Sequence, residues 1–264
     1  MLRFFAPLAL CVVSLAATGI SQPALAQERS AVRHDLAADT FTQARRILVF
    51  RPRIRVGEQS TGGMFEPRAD WTELARSTMA TALRDRQALY GNVLVEAPEA
   101  YGEQARRLDE YMSLFGATAS SIITYQFFPG NRLETKKADN RAERFEWSLG
   151  PGVSQLPGAA DADYGLFIFT EDQFGSTGRK VLQVFAALGG VSVQSGVHAG
   201  YAALIDLRTG NVLWINADFQ MGGDVREAEG AARRMEQLFE EFPIAATVAP
   251  PAVVPPAAPA AGSQ

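Results

Sequence analysis

"GYAALIDLRTGNVLWINADFQ", residues 200–220, decides the fold. Two apolar runs, 201–207 and 212–217, flank Arg208-Thr209-Gly210, and Gly210 suits the left-handed position of a bulged turn. The spacing predicts a β-hairpin. A hairpin this apolar needs a sheet to join, and the residues around it supply one. Upstream, "YGLFIFT" (164–170) is a short continuous apolar run of the kind found in buried strands. Downstream, Asp224 and Glu227 have capping-box spacing. Ala228, Ala231, Ala232, Met235, Leu238, Phe239 and Phe242 then mark one face of a helix that Pro243 closes.

Between strand and hairpin lies "VLQVFAALGGVSVQSGVHAGYAALI" (181–205), without one Asp, Glu, Lys or Arg. Its length suits a membrane span. Gln183, Ser192, Gln194, Ser195 and His198, with four interspersed glycines, argue against lipid. Helical spacing over 181–188 and a glycine break predict a buried helix, a loop and the first hairpin strand.

The first half of the chain continues the alternation. "RRILVFRPRIRV" (45–56) reads as a strand, with Pro52 at an end or edge. Asp70 and Glu73 form a second capping box, ahead of a stripe made by Trp71, Leu74, Ala75, Met79, Ala82 and Leu83. "NVLVEAP" is a short strand, and a helix is expected from about Glu99 to Phe115. "SSIITYQFF" and "ERFEWSLG" are strand-like around a strongly polar stretch, which reads as a long hairpin or an insertion over about 121–160. The order β-α-β-α-insertion-β-α-β-hairpin-α implies an α/β fold, a mixed sheet flanked by helices, in one domain over 44–243.

The ends differ in kind. Arg3, a largely apolar run to Ile20 and the small residues Ala24 and Ala26 have the pattern of a signal peptide cleaved after Ala26. A flexible lead-in (27–43) follows, and a disordered Pro/Ala-rich tail (244–264) ends the chain. The only cysteine, Cys11, lies inside the leader, so disulfides cannot hold the exported protein together. The formal charge is −4 over 264 residues, which makes nucleic acid a poor partner.

Catalytic signals are scarce. The histidines are His34 and His198 alone, and no nucleophile elbow, H-E-x-x-H or S-x-x-K motif occurs. Glu171/Asp172 and Asp161/Asp163 read as solvated loop carboxylates. No catalytic residue, metal or cofactor is expected, and the chain is not read as an enzyme. Two segments stand out instead. "TGGMFEPRADWTELAR" follows the first strand and offers Gly62, Gly63, Glu66, Arg68 and Trp71 as partner- or ligand-contacting residues, with Glu66 and Arg68 as a charge pair. "FGSTGRK" places Gly175, Ser176, Thr177, Gly178 and Lys180 at a strand-to-helix junction, a weak anion site without Walker spacing.

"EPRADWTELAR", "HAGYAALIDLRTGNVLWIN" and "GDVREAEGAARRMEQLFEEFP", with the first strand, resemble the periplasmic α/β domain of curli-secretion (CsgG) lipoproteins, the TolB N-terminal domain and penicillin-binding-protein activators. The resemblance implies a non-enzymatic role in envelope assembly, secretion or transport through protein contacts. It also implies a periplasmic location, with peripheral outer-membrane association and homo-oligomer formation as further expectations. Two other readings compete. One is an oligomeric outer-membrane pore that inserts a hairpin from 121–150. The other is a module binding a small anion or nucleotide-like ligand at Gly175 to Lys180.

Overall fold

The computed structural model describes residues 28–33, 44–86, 91–134, 144–188 and 196–243. The expected leader, the tail, His34 and residues 135–143 lie outside these. Among the described residues, eight strands form one mixed sheet and four α-helices surround it, which is the expected α/β class.

The sheet is organised by one long strand, β6 (Tyr164–Gly175). On one side β7 (Val197–Asp206) and β8 (Val212–Asp218) follow antiparallel as the predicted hairpin. Gly210 has φ +78° in its turn, and the Asp206 carboxylate accepts the Arg208 and Thr209 amides, both at 2.8 Å. β1 (Glu28–Val32) closes this edge against β8. Those residues were expected to be a flexible lead-in. The sheet overrides that reading, because an apolar strand such as β8 left at an edge would leave a row of backbone groups unpaired.

On its other side β6 is paired twice. Its start lies parallel to β2 (Arg46–Val49) and its end parallel to β3 (Arg53–Gln59). The predicted first strand is therefore broken into two. The break falls at Pro52, which has no amide to give the ladder. Beyond β2 lies β5 (Val93–Glu96), parallel, and beyond β3 lies β4 (Phe65–Pro67), antiparallel. Gly57 lets β4 close on β3. A Cβ there would stand 2.3 Å from the Glu66 carbonyl oxygen.

Strand alternation makes two cores. Leu166 and Ile168 of β6, with Ala202 and Leu204 of β7, meet α1 (Ala69–Arg86) and α4 (Ala228–Leu238) through Met79, Leu83, Met235 and Leu238. Phe167, Ala203 and Ile205 face α2 (Gly102–Ile122) and residues 145–159. Neither capping box forms as expected. Asp70 lies inside the first turn of α1, and Glu227 precedes α4 without a side-chain cap.

The strand-like reading of "SSIITYQFF" is overturned. α2 runs on to Ile122 and continues as a wider helical turn to Phe127. Met112, Phe115, Ala119 and Ile122 form a buried stripe that β-propensity did not override. "ERFEWSLG" bridges the sheet only at Ser148 and Asn211, although Phe145 and Leu149 are buried as their alternation implied. The described residues of 121–150 therefore form no β-hairpin.

The uncharged stretch gives the largest surprise. Its first part is a helix, α3 (Thr177–Leu188), but no residue of it is buried. The expected buried helix lies outside the core. Residues 189–195, the expected glycine break, lie outside the described residues. No described helix is long and apolar enough to cross a membrane.

Candidate functional site

Five connections meet at the carboxyl end of β3 and β6: the turn after β3, α3 after β6, the start of β7, the segment following β8 and the first turn of α1. Open α/β sheets usually present this end to ligands and partners.

Beneath the surface sits a buried ion pair. Residues 164, 166 and 168 put β6 side chains on the α1/α4 face, and Thr170 and Asp172 continue that row toward α4. Arg234 answers from α4, inside the stripe formed by Ala231, Met235 and Leu238. Asp172 and Arg234 are both fully buried. The guanidinium grips the carboxylate with Nη1–Oδ2 at 2.9 Å and Nη2–Oδ1 at 2.7 Å, and Nη1 also donates to Thr170 at 2.7 Å. Its Nε has no hydrogen-bond partner among the described residues.

His198, at the start of β7, bonds the same carboxylate, Nδ1 to Oδ1, at 2.7 Å. A carboxylate only accepts, so Nδ1 carries the hydrogen and Nε2 is left on the other side. A His–Asp pair can serve a general base. Here Arg234 already neutralises the carboxylate, which fits a lock on the ring better than activation of it. The carboxylate at 172, expected to be solvated, is thus the most buried charge of the site. Glu171 points to the opposite face, 2.8 Å from Arg55.

Above the lock lies a layer of aromatic rings and guanidiniums. The Phe174 and His198 rings meet edge-on at 5.1 Å, and those of Trp71 and Phe174 at 5.9 Å. Arg226 stands 4.3 Å from the centre of the Trp71 ring and 4.0 Å from that of Phe174, while Arg68 stands 4.7 Å from Trp71. Asp224 holds Arg226 in place, with Oδ2 2.6 Å from Nη2. The hydrogen bond from Arg226 keeps the Asp224 carboxyl below its ordinary range, and the same bond raises Arg226. Two cations on one half-buried tryptophan form a rigid, sticky surface.

The two segments singled out in the sequence converge. Gly62 and Gly63 form a turn organised by Ser60, whose hydroxyl accepts the Met64 amide at 3.0 Å. The turn rests on the start of α3, where Arg179 donates to the Thr61 carbonyl at 3.4 Å and the Ser176 amide donates to the Gln59 carbonyl at 2.9 Å. At the expected anion site, Gly175 ends β6 and Thr177 begins α3. Ser176 caps the helix, its hydroxyl accepting the Arg179 amide at 3.2 Å and its carbonyl the Lys180 amide at 2.9 Å. Gly178 packs beside Thr61, and Lys180 is exposed. The amides that would hold an anion are thus partly used by the chain itself.

Arg68 and Trp71 belong to the aromatic layer, whereas Glu66 faces solvent on β4. The expected Glu66–Arg68 pair is replaced. Arg68 stacks on Trp71 and turns to Asp70 at 3.4 Å and Glu58 at 3.9 Å. Sequence reading took Asp172 for a solvated carboxylate and His198 for an isolated histidine, and passed over Phe174, Arg226 and Arg234. One signal was available, an arginine at a core position of the α4 stripe.

Away from this surface, a cleft of about 300 Å³ lies between α2 and the sheet, lined by Arg53, Ser113, Phe115, Phe169 and Tyr201 among others. Arg53 is tied to Ser113 at 3.3 Å and Asp109 at 3.2 Å. Burial pushes the Tyr201 hydroxyl up to about 12. A raised phenol stabilises the fold below about pH 10, its unfolded value, and that contribution disappears as pH climbs through 12. Denaturation between pH 9 and 12 should show wild type losing more stability than Y201F, and parallel losses would contradict this. No three His, Cys, Asp or Glu residues among the described residues are grouped to hold a metal.

Fold and site together define a mixed α/β domain with a cation-and-aromatic surface at the carboxyl end of its central strands. No family model matches the chain, and no curated protein does. Among solved structures it is similar to a PelC dodecamer from Paraburkholderia phytofirmans, with 14% identity, 83% of this chain and 97% of that chain covered, and a TM-score of 0.35. A point variant of that PelC gives 15% identity, the same coverage and a TM-score of 0.36. At these scores neither fold nor function follows from the likeness.

Proposed function

We propose that the chain is an exported, non-enzymatic envelope protein, an accessory in assembly, secretion or transport that docks a protein partner at the carboxyl end of its sheet. The carrying observation is the Arg68–Trp71–Arg226 stack, braced from below by Phe174 and by His198 on its buried lock. Tryptophan and arginine held in one conformation are the residue types that dominate protein–protein binding energy, because little entropy is lost when a partner covers them. The leader-like N-terminus and the resemblance to periplasmic envelope domains support the compartment and the role.

The test replaces both cations. R68A combined with R226A removes the stack but leaves Trp71 and the buried lock intact. Stability should change by less than about 1 kcal/mol, as expected for partly exposed side chains. Proteins cross-linked to the wild type in its native compartment should be lost. A folded double variant that captures the same proteins at the same yield would overturn the proposal.

A further inference from the structure

The geometry points to α3 as a lipid-surface helix: we propose that its outer face lies in the interface of a bilayer carrying anionic phospholipid. In an ordinary surface helix the apolar stripe faces the core and the polar residues face water. α3 is turned the other way. Its inward stripe is Arg179, Gln183 and Ala186, spaced i, i+4, i+7 and only partly exposed. Its outward stripe is Val181, Val184, Phe185 and Leu188, spaced i, i+3, i+4, i+7, with Phe185 68% and Leu188 81% exposed. The polar side is fastened to the domain by Arg179, which donates to the Thr61 carbonyl, and the helix start by the Ser176 amide, which donates to the Gln59 carbonyl.

Charge selects the occupant. Lys180, exposed and one turn before Val184, borders the apolar stripe, while Arg179 is turned inward to the Thr61 carbonyl. From Gln173 to Ile205 the chain has no acidic residue, although the whole protein is acidic, with a pI near 5.4. An apolar stripe bordered by lysine on a segment free of carboxylates fits a helix that lies in a headgroup layer, where the cation meets phosphates and apolar side chains reach the acyl chains. Twelve residues give about 18 Å, short of the ~30 Å of a hydrocarbon core, so the helix lies on the membrane and does not cross it.

The test is flotation of the purified protein with vesicles of phosphatidylethanolamine and phosphatidylglycerol, against vesicles of phosphatidylcholine alone. Wild type should float with the anionic vesicles, and less at high salt. V184Q/F185Q/L188Q, which alters only exposed side chains, should keep the wild-type melting curve and lose flotation more than about tenfold. F185W should show a blue-shifted emission on the same vesicles. Absence of wild-type flotation, or flotation unchanged in the triple variant, would overturn the proposal. So would a dimer that the triple variant dissolves while lipid binding is absent, since the stripe would then belong to a second copy.

Discussion

Replacing Asp172 with alanine lowers the unfolding free energy by about 3–5 kcal/mol, because removing one partner of a buried ion pair leaves the other charge uncompensated. The stranded group is Arg234, fully buried and already carrying one unpartnered nitrogen. Without the carboxylate it keeps only the Thr170 hydroxyl, and His198 loses the acceptor that fixes its ring. Urea denaturation measures the loss. D172L together with R234M should recover most of it, since the cost of a broken pair is the lone charge rather than the missing attraction. A single variant within about 1 kcal/mol of wild type would mean that water reaches the pair and that it is no lock.

Trp214→Ala comes next, at about 3–5 kcal/mol, or roughly 10 °C in melting temperature. The indole is fully buried in β8. It stacks on Phe239 at 6.2 Å and meets Phe242 edge-on at 5.1 Å, which fastens the end of α4 to the sheet. Asn216 adds a hydrogen bond from Nδ2 to the Gln237 carbonyl at 2.7 Å. Since Arg234 sits one turn before Leu238 on the same helix, losing Trp214 also loosens the grip on Asp172. The Asp172 and Trp214 losses should therefore sum to more than the double variant shows. Simple additivity would mean that α4 holds its two ends independently.

Sequence patterns resolved the parts whose physics is local. The 200–220 hairpin followed from one turn glycine between two apolar runs, and α1 and α4 from their stripes. The break at Pro52 was half legible, since proline announced an edge but not that β6 would pair with both pieces. Residues 121–127 went wrong because β-branched and aromatic side chains say strand locally, while the stripe begun at Met112 says helix. α3 went wrong because an apolar period reveals that a face exists, not what covers it. The lock was out of reach for another reason. Asp172, His198 and Arg234 are 26 and 62 positions apart as partners, and nothing in either neighbourhood names the other.

The double pairing of β6 also fixes the order in which this molecule can assemble. Until Tyr164–Gly175 is present, β2 has only β5 beside it and β3 only β4, and a two-stranded ribbon alone is marginal in water. Everything from Arg46 to Asp161 waits for a strand that comes later in the chain, and closing such long loops makes folding slow. For an exported protein, as proposed above, slowness would be an asset. On that reading the polypeptide would stay threadable while it is carried across a membrane, and the sheet would close on the far side.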